Sequence, residues 1–208
     1  MIYTIENDAI RVTVDDFGAE MCSVILKEDG TEYLWQADPT YWTGHAYNLF
    51  PICGRLTDGK YTYRGQTFEM NLHGFARKST FEMVARTEDT ISFRLSASAD
   101  TVKVYPFAFA FTLTYKLEGA SVTTVFHVEN HDQKEMIFAV GGHPGFNLPL
   151  EAGERFEDYY LEFDCVKSPR ALIMSETCYY LNDTVPFRWK GGRCFHSATR
   201  CLTMTRFS

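Results

Sequence analysis

The chain has 208 residues, 45% of them hydrophobic and 15% aromatic, enough to bury a substantial core in one large domain. That composition, with 23% charged residues and no like-charge blocks, excludes a disordered chain. The net charge of −7 argues against a protein that tracks nucleic-acid phosphates, whose affinity comes mainly from clustered Lys and Arg. The charge is uneven along the chain: residues 1–187 hold 15 basic and 27 acidic side chains, whereas 188–208 hold five basic residues and no acid.

The N-terminus, Met1 to Asp8, has no basic region followed by an apolar run, so no secretory signal is read there. No stretch reaches the roughly 20 apolar residues of a membrane span. Cysteines at 22, 53, 165, 178, 194 and 201 show no CxxC or His/Cys zinc spacing, and reduced thiols in a cytoplasmic protein are expected. Turn signals then recur, at Glu28-Asp29-Gly30, Arg64-Gly65-Gln66 and Glu88-Asp89-Thr90. The Ile91 to Leu95 segment alternates on a period of two. The clearest pattern is Phe107, Phe109, Phe111, Leu113, Tyr115 and Leu117, a strand with one buried face. Glu118-Gly119 breaks it, and β-rich composition resumes from Val122 to Asn130, predicting a hairpin. No window of the first 130 residues carries a helical apolar stripe. Many antiparallel strands joined by tight turns predict an all-β sandwich or barrel.

Three segments do not read as plain strands: Asn48 to Leu56, Leu72 to Arg77 and Gly141 to Pro149. Each combines Gly or Pro with a cation or a histidine. Glycine admits close backbone approach and proline fixes direction. Arginine offers a planar fork of donors, and histidine exchanges protons near neutral pH. Taken singly, each His is also consistent with a structural turn residue and each Arg with an ion pair. The aromatics Trp35, Trp42, Tyr41, Tyr47 and Phe50 read as core first and as a sugar-stacking platform second. No P-loop, GxSxG, HExxH or dinucleotide fingerprint is present.

In this order the three segments resemble the aldose 1-epimerase (galactose mutarotase-like) superfamily, in the branch carrying an HGFAR element, here His73 to Arg77. Pro51 to Leu56 matches its PxxGRL element, and His143 to Leu148 its His-Pro-x-Phe-Asn-Leu segment. An Asp16-Phe17-Gly18-Ala19-Glu20 turn and Tyr33-Leu34-Trp35 fit as well, and the likeness spans roughly residues 2–187. The resemblance implies a large antiparallel β-sandwich, the mutarotase supersandwich, that binds a pyranose. It implies interconversion of α and β anomers of an aldohexose by acid/base-catalysed ring opening, without metal or organic cofactor. A monomer or homodimer that engages neither nucleic acid nor membrane is expected from the charge and the lack of apolar spans. His143 matches the general acid to the ring oxygen. His73, the second catalytic-site histidine, and Arg55 match residues holding sugar oxygens, and Asn48 is placed with them as substrate-binding. Arg77 occurs in members acting on hexose 6-phosphates, so a free aldose is the first expected substrate and a hexose 6-phosphate the second. A non-catalytic sugar-binding module of the same fold is the alternative to an enzyme.

The family's general base is a glutamate near the C-terminus of a longer chain. Here the last acid is Asp183 and the last glutamate Glu176, and neither lies in a matching segment. A sandwich domain over 1–187, incomplete at its C-terminus, is therefore expected, followed by an atypical basic tail over 188–208. Reading the tail from the third base of each codon forces Glu from Trp189-Lys190 and Asp from Met204-Thr205, and freely chosen codons extend a family-like string around them. The expectation is out-of-frame sequence after one lost nucleotide near Phe187. The alternative is a basic arm for an acidic partner.

Overall fold

The computed structural model describes residues 1–163, 170–177, 179–186 and 202–206. The chain forms two compact units, Met1–Asn147 and Leu148–Ser208.

In the first unit, β1 (Ile2–Glu6), β2 (Ile10–Asp15) and β3 (Glu20–Leu26) form an antiparallel meander. The short strand β4 (Ala46–Leu49) follows, then the hairpin of β5 (Lys60–Tyr63) and β6 (Gln66–Glu69). Its two turn residues, Arg64 and Gly65, both have positive φ, +50° and +79°, the geometry that matches the twist of a two-residue hairpin. Next come β7 (Glu82–Arg86), β8 (Thr90–Ser96), the helix α1 (Ala99–Val104), β9 (Phe109–Glu118) and β10 (Ser121–Asn130). These four strands form one antiparallel sheet in the order β10-β9-β8-β7. The unit closes with β11 (Gly141–Pro144), which pairs with β4.

The alternation read in the sequence is the core itself. Phe109, Phe111, Leu113, Tyr115 and Leu117 of β9 are all buried, whereas Lys116 and Glu118 are exposed. Ile91, Phe93 and Leu95 of β8 and Ile10, Val12 and Val14 of β2 join the same cluster. The two sheets thus close on one apolar layer, with the Tyr3 ring edge-on to Phe93 at 5.4 Å. Each such large side chain contributes about 1.5–3 kcal/mol of burial free energy.

The helix α1 departs from the sequence reading, which found no helical stripe. It has six residues, too few for a 3.6-residue repeat to show. It is held instead by a reciprocal cap: Thr101 N–H donates to Ser98 Oγ at 3.2 Å and Ser98 N–H to Thr101 Oγ1 at 2.8 Å, which satisfies otherwise orphaned donors.

In the second unit β12 (Tyr159–Phe163) pairs with β15 (Leu202–Arg206), and β13 (Arg170–Met174) pairs with β14 (Tyr180–Pro186), both antiparallel. Of the basic segment, residues 188–201, 207 and 208 lie outside the described residues, as do Cys165, Cys178, Cys194 and Cys201. Cys22 and Cys53 are free thiols. Among the described residues no helix is long and apolar enough to cross a membrane.

Candidate active site

The three Gly/Pro segments of the sequence are brought together in the first unit. Phe50 O accepts the N–H groups of Phe75 and Ala76 at 3.0 and 3.2 Å, which docks the second segment on the first. Gly74 sits at that junction with φ +74°, and a Cβ there would overlap the Phe50 carbonyl. Only glycine meets both conditions. The third segment docks on the first as well: Ala139 N–H donates to Pro51 O at 2.8 Å, and Gly141 approaches the Cys53 sulfur.

His73 is set by its own backbone. Its φ is +65°, a left-handed conformation that costs a non-glycine residue roughly 1–2 kcal/mol. A reciprocal pair of hydrogen bonds offsets that strain: His73 N–H donates to Gly54 O at 2.8 Å and Gly54 N–H donates to His73 Nδ1 at 3.0 Å. Since Nδ1 is an acceptor, the proton of the neutral ring resides on Nε2. Burial pushes the His73 pKa down, and His143 and Arg77 push it further in the same direction. At neutral pH His73 is therefore an uncharged ring offering an Nε2–H donor.

His143 comes from β11, where it stands opposite Tyr47 of β4, while Gly142 stands opposite Asn48. Directly opposed residues of an antiparallel pair share a face. His143 and Tyr47 therefore lie on one side and Asn48 on the other. The His143 ring is exposed, 5.4 Å from the His73 ring and 5.4 Å from that of Trp42. Trp42 has little freedom: a Cβ at Gly145 would come within 2.8 Å of its ring, and Trp35 Nε1 donates to Trp42 O at 2.8 Å.

Arg55 is exposed on the loop one residue beyond Gly54. The Arg77 guanidinium lies over the Tyr47 ring, 5.1 Å from its centroid, and among the described residues it forms no ion pair. Asn48 does not join these residues. It is 2% exposed, and its Nδ2 donates to Gly18 O, Ala19 O and Tyr115 Oη at 3.2, 2.8 and 2.9 Å. The expectation that it touches substrate is corrected: its face of β4 is turned into the core, where it holds the backbone of a neighbouring turn.

Tyr47 and Arg77 also line an open groove of about 550 Å³, with Glu20, His45 and Lys78 among its other walls. Neither His73, His143 nor Arg55 lines that groove. Among the described residues no cluster of His, Cys, Asp or Glu could hold a metal ion. The sequence reads Trp42 and Tyr47 as core first and as a sugar-stacking platform second. The signal that could have singled them out was present: Gly44 and Gly145 leave room for Trp42, and period-two alternation puts Tyr47 on the face opposite Asn48. The site thus brings together two imidazoles with ring centroids 5.4 Å apart, one of them held as an Nε2–H donor, and the Arg77 guanidinium close enough to lower the His73 pKa.

The antiparallel fold has counterparts among known proteins. The aldose 1-epimerase family model matches residues 1–191. The chain belongs to the aldose 1-epimerase family, and its fold is the galactose mutarotase-like β-sandwich. The plasmid-borne and chromosomal LacX proteins of Lactococcus lactis subsp. lactis are each 40% identical to it over 174 residues, which is 81% of this chain and 58% of theirs. A galactose mutarotase related enzyme from Lactobacillus acidophilus superposes with a TM-score of 0.82 at 43% identity, over 89% of this chain and 63% of that one. A galactose mutarotase-like protein from Lactobacillus casei ATCC 334 gives 0.85 at 31% identity, over 98% of this chain and 68% of that one. The chain thus spans less than two thirds of the length of the LacX proteins and of the L. acidophilus enzyme.

Proposed function

We propose that this chain carries the sugar-holding and acid half of an aldose 1-epimerase site. An aldohexopyranose binds against His73, His143 and Arg55. His143 gives a proton to the ring oxygen as the bond from that oxygen to C1 breaks. A base removes the proton of the anomeric hydroxyl, leaving the open-chain aldehyde. Rotation about C1–C2 and closure in the reverse sense return both protons and give the other anomer. The His73 Nε2–H and the Arg55 fork hold sugar oxygens. A positioned acid of this kind contributes typically about 10²–10⁴-fold.

The observation that carries this reading is the contact of His73 with His143, rings 5.4 Å apart, with His73 locked as an Nε2–H donor by Gly54. The base is not assigned to any described residue. A protein that binds sugar without turning it over is the competing outcome. Calorimetric titration with D-galactose and D-glucose, beside polarimetry of freshly dissolved α anomers, separates the two. Binding with accelerated anomerisation supports the enzyme. Binding without acceleration supports a carbohydrate-binding module of the same fold.

A hexose 6-phosphate is the second substrate class. It is favoured by Arg77, an arginine held on an aromatic ring and without an acid partner among the described residues. Guanidinium groups bind phosphate through paired charge-assisted hydrogen bonds.

A further inference from the structure

The Asp16–Glu20 turn carries no part of the chemistry proposed above, yet it touches both the start of β4, the strand that pairs with His143, and the stretch around Arg77. Glu20 opens β3 and is 8% exposed. Its Oε1 accepts the backbone N–H groups of His45 and Ala46 at 2.6 and 2.9 Å, two donors at the very start of β4. In the opposite sense, Asn48 of β4 donates to the carbonyls of Gly18 and Ala19. The turn also meets the HGFAR segment: Gly18 N–H donates to Ser79 O at 2.7 Å, and a Cβ at Gly18 would stand 3.2 Å from the Arg77 carbonyl oxygen.

We propose that Glu20 is a positioning residue for the site: by capping the start of β4 it fixes Tyr47, and through Tyr47 the places of His143 and Arg77. The chain of contacts is short. Tyr47 is one residue beyond Ala46, it is the register partner of His143, and its ring carries the Arg77 guanidinium. Both amides converge on the single oxygen Oε1, so the reach of the Glu20 side chain sets where β4 starts. A misplacement of about 1 Å in a catalytic group can cost on the order of 100-fold in rate. The effect on turnover rests on the epimerase reading; the effect on geometry does not.

Two conservative variants separate reach from charge. Glu20→Gln keeps the length and an acceptor oxygen, whereas Glu20→Asp keeps the charge but is one methylene too short to reach both amides. The Glu20→Gln protein is expected to keep the His143 imidazole and Tyr47 ring resonances of the parent, with kcat for D-galactose anomerisation within about threefold. The Glu20→Asp protein is expected to shift both sets of resonances in the sugar-free state and to lower kcat about 10–100-fold. In the unmodified protein the His45 and Ala46 amides should exchange slowly with solvent, a readout that needs no variant to fold. Fast exchange at both amides, unmoved resonances in Glu20→Asp, or equal shifts in the two variants would overturn the proposal. If the parent protein does not turn over galactose, the epimerase reading fails while the resonances still decide this one.

Discussion

The imidazoles of His73 and His143 lie with ring centroids 5.4 Å apart and planes inclined by 59°, although they arrive on separate segments. One is fixed by the Gly54 backbone and the other by pairing with β4. Two such rings cannot both hold a proton without repulsion, and burial and neighbouring charge already favour the neutral form of His73. His73 is thus a fixed donor set beside the exposed ring of His143.

The folded-state pKa of His73 lies below its ordinary 6.5 because of burial, His143 and Arg77. The unfolded chain therefore takes up this proton first as pH falls. The stability contribution of His73 is complete above about pH 6.5 and is lost as pH drops toward the folded value. An NMR titration of the imidazole protons should place the His73 midpoint below 6.5 and move it up in His143→Ala. A midpoint at or above 6.5 in the parent protein would contradict the assignment.

Gly74 should be among the least replaceable glycines of the first unit. Gly74→Ala combines a φ of +74° with overlap of the Phe50 carbonyl and should cost more than about 2 kcal/mol. Gly119 has φ +55° with nothing near its missing Cβ, so Gly119→Ala should cost only about 1 kcal/mol. Urea unfolding midpoints of the two variants compare the losses directly. Equal losses would mean that the junction between the two loops is not tight.

Asn48→Ala should act on stability. It takes from the Gly18 carbonyl its Asn48 donor in the core, while Ala19 O keeps the Tyr115 hydroxyl, a loss of about 1–3 kcal/mol. An unchanged unfolding midpoint together with lost sugar affinity would instead restore Asn48 as a substrate contact.

Arg77 distinguishes the two substrate classes. If a phosphate is bound, Arg77→Ala should weaken glucose 6-phosphate binding about 10–100-fold, the worth of hydrogen bonds to a charged group. Affinity for free glucose should then hardly change. Calorimetric titration with both ligands reads the difference, and equal losses for the two would count against a phosphate at this position.

The parts of this fold legible in the sequence are those set by local pattern. The alternation from Phe107 to Leu117 marked β9 because one face is buried, and Arg64-Gly65 marked a hairpin because both residues need positive φ. The contact between His73 and His143 was not legible from spacing, since it depends on the pairing of β4 with β11, a long-range choice that no local rule encodes. It entered through the likeness of three motifs to a family. Asn48 was misplaced for a similar reason: beside a Pro/Gly loop it was read for its chemistry, while the period-two rule assigns it the face opposite Tyr47. Glu20 reads in the sequence only as part of a turn, because the amides it accepts, those of His45 and Ala46, lie 25 and 26 residues away.

In the proposed reaction His143 transfers the proton to the ring oxygen. Polarimetry of freshly dissolved α-D-galactose with the parent protein and with His143→Ala tests it most directly. Acceleration over the spontaneous rate is expected with the parent protein, and its loss in the folded variant. Undiminished acceleration in His143→Ala would contradict it.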